Sequence, residues 1–105
     1  MLSFLVLGAL LGLASVEEAM RLYAGGKHVE ARRMLEGITQ ADPANFDAHF
    51  RLGLVALNAQ DLSIAVTSLN RASQLRPAHA QVWLALAQAQ RRMKNKPQAA
   101  EAAAK

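Results

Sequence analysis

The chain has 105 residues, which bounds it to one domain or a piece of one. A hydrophobic fraction of 52% with 19% charged residues excludes a disordered chain, and five aromatics among abundant alanine and leucine lean it toward helix. There is no cysteine, which excludes a disulfide framework and thiolate metal sites but assigns no redox compartment.

The formal charge of +4 is unevenly spread. Residues 1–50 hold four Lys/Arg against six Asp/Glu, whereas residues 51–105 hold eight against two. Arg91, Arg92, Lys94 and Lys96 form the strongest basic cluster. Such a cluster can meet nucleic acid or anionic lipid. It lacks the interleaved aromatics of single-strand binders, so a solvated helix end is the reading preferred over nucleic-acid contact.

The chain opens on MLSFLVLGALLGLAS, apolar and without side-chain charge before Glu17. As a helix, residues 1–16 would reach about 24 Å, short of the ~30 Å bilayer core. Residues 1–14 therefore read as a signal peptide cleaved after Ala14, or as a short membrane anchor. No Lys or Arg precedes the apolar run, which keeps a third reading open, an extra helix packed on the domain. Export or attachment to a membrane through residues 1–16 is the expectation, with a cytoplasmic location the alternative.

Ser15-Val16-Glu17-Glu18 is a capping box, in which Ser15 accepts from the amide three residues on and Glu18 reaches back to the serine amide. A helix is expected from Ser15 to about Ala24, then a break at Gly25-Gly26. Adjacent carboxylates such as Glu17 and Glu18 point about 100° apart on a helix and make no acid/base pair. A second helix runs from about Val29 to Ala41 and ends before Pro43.

From Phe46, residues Phe50, Gly53, Leu54 and Leu57 recur at helical spacing. A break follows at Asn58-Ala59-Gln60-Asp61, with Asp61 placed to cap the next helix. Leu62, Ala65, Val66, Leu69 and Ala72 mark that helix, which stops before Arg76-Pro77. The last stretch reads as a helix from about Ala80 to Met93, a polar turn at Lys94-Asn95-Lys96, and another helix with Pro97 in its first position.

A shift of 34 residues lays these segments on one another. Pro43 falls on Pro77, Ala31 on Ala65 and Ala99, and Ala19 on Gly53 and Ala87. Leu35 falls on Leu69 and Ala103, Leu52 on Leu86, and His49 on Trp83. One proline column with two small and two apolar columns in a single register is the signature of a repeat. The small columns are expected where the two helices of each hairpin approach most closely.

The 34-residue beat, the paired helices, the small columns and the terminal proline resemble the tetratricopeptide repeat. Trp83 stands at that family's tryptophan position, Leu86 and Ala87 at its leucine-glycine pair, and Leu52-Gly53 match the pair outright. The pattern departs at Glu18, His49, Gln90 and Ala103, where larger or more apolar residues are the family's habit. The resemblance spans about Gly12 to the end. It implies an all-α superhelix of about two and a half helix-turn-helix repeats, with units near 12–45, 46–79 and 80–105, following an apolar leader helix. Such units stack to bury a shared core and need polar caps at their ends. The last helix, QAAEAAAK, brings little apolar volume, so weak docking there, or pairing of that uncapped end with another copy, is expected.

The family lines a concave groove with the first helices of its units. Carried onto this sequence, the groove comprises Val16, Met20 and Tyr23, then Asp47, Phe50, Arg51, Leu54 and Asn58, then Gln81, Leu84, Gln88 and Arg91. The family's clamp for acidic peptide tails would need basic or amide residues at Val16, Met20, Arg51, Gln81 and Ala85, where only Arg51 is basic. An apolar stripe of Val16, Met20, Phe50, Leu54 and Leu84 remains, suited to a partner helix or an extended apolar peptide.

No constellation for chemistry accompanies it. His28, His49 and His79 lack metal-ligand spacing, Gly25-Gly26-Lys27 lacks the phosphate-loop spacing, and no serine sits in a nucleophile elbow. The expectation is a non-enzymatic module without cofactor or metal that binds protein or peptide. An accessory segment of a longer enzyme or assembly factor is the alternative.

Overall fold

The computed structural model describes residues 15–104, with side chains through Asn95. The expected leader helix therefore lies outside the described residues, as does the choice between signal peptide and anchor. Five helices make up the rest: α1 (Val16–Ala24), α2 (His28–Ala41), α3 (Phe46–Asn58), α4 (Leu62–Leu75) and α5 (Ala80–Ala104). Each packs chiefly on its chain neighbours, α1 on α2, α2 on α3, α3 on α4 and α4 on α5. The arrangement is all-α, a row of helix hairpins as the sequence predicts.

The backbone repeats as faithfully as the residues do. After α1, the Lys27 amide donates to the Leu22 carbonyl at 2.9 Å and the Gly26 amide to Tyr23 at 3.0 Å. After α3, the Asp61 amide donates to Ala56 at 2.9 Å and the Gln60 amide to Leu57 at 3.1 Å. Both are the 6→1 closure of a Schellman turn, which needs a left-handed residue just past the helix. Gly26 supplies it at φ 87° without strain, whereas Gln60 supplies it at φ 61° against the clash of its Cβ.

The turns between hairpins match as closely. Asp42 and Arg76 have φ/ψ of −136°/81° and −137°/82°, because each precedes a proline that forbids helical geometry. The Trp83 indole Nε1–H donates to the Pro77 carbonyl at 2.6 Å. One unit earlier, His49 Nε2 lies 2.9 Å from the Pro43 carbonyl, which can only accept, so the imidazole donates from Nε2. Histidine thus reproduces the bond of the tryptophan it replaces.

The small columns sit where expected in the first two units. Ala19, Ala31 and Ala65 are wholly buried. A Cβ on Gly53 would fall 2.5 Å from Leu69 Cγ, so glycine there sets how near α3 and α4 approach. The core is a chain of clusters rather than one centre. Ala19, Leu35, Leu52 and Val55 join units one and two, and Phe46, Phe50, Leu57, Leu69, Val82 and Leu86 are among those joining units two and three. Ile64 packs against both.

The third unit departs from expectation. No turn forms at Lys94-Asn95-Lys96; α5 runs unbroken to Ala104, with Pro97 inside it rather than at a helix start. Proline there removes one backbone bond to Met93. Folding back would gain little in return, since the sequence beyond is mostly alanine, which buries small area yet favours helix most of all residues. Ala87, expected in the small buried column, is exposed because no returning helix covers it.

Two caps were also redistributed. Ser15 Oγ accepts from the Glu18 amide at 3.1 Å as predicted, but the Glu18 carboxylate pairs with Arg21 at 2.7 Å instead of returning to the serine. Asp61 precedes α4 without capping it through its side chain; its carboxylate is drawn 2.9 Å from Arg32 Nη1 on α2. A charged partner in reach outcompetes a backbone amide. Asn45, unremarked in the sequence, caps α3 by accepting from the Ala48 amide at 3.0 Å.

Candidate functional site

Helices α1 and α3 open the two hairpins and α5 begins the third unit; α1 touches α3 as α3 touches α5. Of the twelve candidate residues on these helices, all but Phe50 are half-buried or exposed. Val16, Met20 and Tyr23 of α1 are half-buried, backed by the core between units one and two. Tyr23 stacks on His28 with centroids 4.3 Å apart, and its hydroxyl accepts from Asn58 Nδ2 at 3.0 Å. That bond ties the end of α1 to the end of α3 and brings two of the candidates together.

On α3, Arg51 Nε donates to Asp47 Oδ1 at 3.3 Å, an i,i+4 pair along the exposed edge. Leu54 is half-buried and packs on the core between units two and three. On α5, Gln81, Leu84, Gln88 and Arg91 all face solvent. The arrangement can present aliphatic surface flanked by amides and by an ion pair. Among the described residues, no group of three His, Asp or Glu side chains converges to hold a metal.

Phe50 corrects the sequence reading. It is 8% exposed and belongs to the core, not to an open groove. The His79 ring, 29 positions later in the chain, packs 5.3 Å edge-on from it and 5.1 Å from Phe46. The Arg76 guanidinium closes the cluster 4.3 Å over Phe46. Helical spacing put Phe50 on the right helix face, but only the loop before α5 decides that this face is covered.

The basic cluster is likewise divided by the fold. Arg92 Nη1 donates to the Leu57 carbonyl at 3.4 Å, helping to satisfy the C-terminal end of α3. Arg91 and Lys94 remain exposed. Elsewhere Arg32 bridges Glu36, at 2.9 Å from Nε, and Asp61, and its hydrogen bond to Glu36 holds its pKa above the ordinary arginine range. The groups are about one-third exposed, so the network clips α2 to the start of α4 for at most about 1 kcal/mol.

A cleft that the sequence did not signal lies on the other side, between α2 and α4. It encloses about 550 Å³ over Leu52 and Ile64, with Thr39, Thr67, Ser68 and Arg71 around it. Its outward threonines are turned to their own helix, Thr39 Oγ1 to the Glu36 carbonyl and Thr67 Oγ1 to the Ser63 carbonyl, both at 2.9 Å.

Among the described residues no helix is long and apolar enough to cross a membrane. Compared with known families, the chain matches the tetratricopeptide repeat model twice, over residues 16–72 and 55–105. No curated protein matches the chain.

Proposed function

The chain belongs to the tetratricopeptide repeat family, whose repeats generally serve protein–protein interaction, and we propose that it acts as a non-enzymatic scaffold holding a partner's helix or extended peptide against α1, α3 and α5. One observation carries this reading: the Tyr23–Asn58 bond between α1 and α3, with half-buried Val16, Met20 and Leu54 beside it. The partner then meets a surface already ordered, so little conformational entropy is lost on binding. Phe50 contributes from beneath as packing. The apolar leader sequence supports export or membrane attachment, and sequencing the amino terminus of the mature protein tests this: Met1 present there excludes cleavage.

The partner surface is tested by quantitative affinity capture with the wild-type chain and a Met20→Gln/Leu54→Gln variant. The variant's fold is checked first by circular dichroism. The expected result is a set of proteins held by the wild type, tolerant of salt, and depleted about tenfold or more by the variant. Equal capture by both chains overturns the assignment of this surface. Capture that collapses with salt in both points instead to the basic cluster.

A further inference from the structure

The cleft between α2 and α4 is walled by the first two hairpins, with His49 and Leu52 of α3 beneath it, and no residue of α5 lines it. Side chains bridge it beyond both ends. At one, Arg32 of α2 pairs with Asp61 at the start of α4 at 2.9 Å. At the other, Arg71 of α4 and His49 both reach the carbonyl of Pro43, just after α2, at 3.4 and 2.9 Å. The enclosed volume of about 550 Å³ falls within the roughly 300–1,000 Å³ usual for small-molecule sites. A helix about 10–12 Å across takes up roughly 500 Å³ per turn, so a single turn would fill the space. An extended chain running through it would have to break both bridges.

The two ends differ in charge. Arg32 faces two carboxylates, Glu36 and Asp61, which leaves that end negative. Arg71 faces none among the described residues; its Nε and Nη1 each lie 3.4 Å from a neutral oxygen, of Pro43 and Gln74. Between the ends, the floor is apolar at Leu52 and Ile64. Ser68 adds a free hydroxyl. It is 6% exposed, and its oxygen is not bonded to its own helix as those of Thr39 and Thr67 are. Among the described residues the one sealed side-chain nitrogen or oxygen without a partner is His79 Nδ1, so Ser68 Oγ reaches open space, and the space it lines is the cleft.

We propose that this cleft binds a small aliphatic carboxylate. Ser68 and Arg71, three residues apart, share a face of α4 and can both donate to the anion, while Ile64 lies one turn back to receive the alkyl chain. The long bonds of Arg71 to neutral oxygens then give way to shorter, charge-assisted ones. The reverse orientation would set the carboxylate against Glu36 and Asp61, so charge fixes the direction of binding. Ile64 and Arg71 stand about 10 Å apart along α4, which suits a chain of about six carbons. The surface differs from the one tested by Met20 and Leu54, so either assignment can fail alone.

The full chain is titrated at pH 7 with sodium hexanoate while its amide and methyl signals are followed by NMR. The expected result is saturable shifts at Leu52, Ile64, Ser68 and Arg71, with affinity falling up to about fourfold for each methylene removed toward butanoate. Hexan-1-ol binds about tenfold more weakly, and hexylamine, of opposite charge, does not compete. Arg71→Gln brings hexanoate down to the level of hexan-1-ol and leaves hexan-1-ol unchanged, a split that a general loosening of the fold does not give. Thr67→Trp, at an exposed position on the rim, abolishes both, and Met20→Gln/Leu54→Gln alters neither. Absence of saturation, equal affinity for hexanoate and hexylamine, or undiminished hexanoate binding in either Arg71→Gln or Thr67→Trp overturns the proposal. Shifts centred on Met20 and Leu54 do so too, by placing the acid on the partner surface. So does a dimer in sedimentation that Thr67→Trp dissolves, which would make a second copy the occupant.

Discussion

Gln60 holds a left-handed backbone, φ 61°, at the position where the first hairpin uses Gly26. The Schellman turn demands that conformation, and an L-residue pays about 1–2 kcal/mol for it. Gln60→Gly should therefore stabilise the chain by about 0.5–1 kcal/mol, the remainder being offset by glycine's freer unfolded state. A urea midpoint that stays put or falls would contradict the turn. Ala65 makes the opposite case: with no exposed area, it leaves no room for growth. Ala65→Leu should destabilise by about 1–3 kcal/mol through overpacking between α3 and α4. A neutral thermal melt would place that column outside the contact. At this scale the sequence was informative about the buried alanines and silent about Gln60, whose strain belongs to the turn and not to the residue's preferences.

Among the elements, α1 to α4 were legible because their signals are local: Ser15, the glycine pair, Pro43 and Pro77 punctuate helices whose apolar stripes keep one period. What resisted reading came from distance. The carboxylate of Asp61 left its cap for Arg32, and Phe50 left the groove for the core when His79 arrived from the loop before α5. The cleft between α2 and α4 has the same origin, since its walls come from two hairpins. The break expected in α5 failed for another reason. Lys94-Asn95-Lys96 contains no glycine, and the following alanines give a returning helix little to bury. His79 shows the cost of such substitutions. Its Nδ1 is buried without a partner, where Asn45 one unit earlier caps a helix. His79→Phe keeps the aromatic packing and removes that unsatisfied atom, so a gain of about 1 kcal/mol is expected in chemical denaturation, and a loss would show that Nδ1 is needed.

For the whole molecule, the central claim is that equal hairpins stack in a row and each is stabilised mainly by its neighbours. Such a chain has no single core, and its stability falls from the middle outward. Among the described residues, α3 and α4 contribute to both clusters, whereas α1 contributes only to the first and α5 only to the second. The proposed role draws on the same geometry, because a row of fixed hairpins offers an ordered surface along its length. Native-state hydrogen exchange resolved by residue tests this most directly. The account predicts the slowest amides in α3 and α4, with protection falling toward α1 and toward the far half of α5. Uniform protection, or a maximum in α1 or α5, would contradict it.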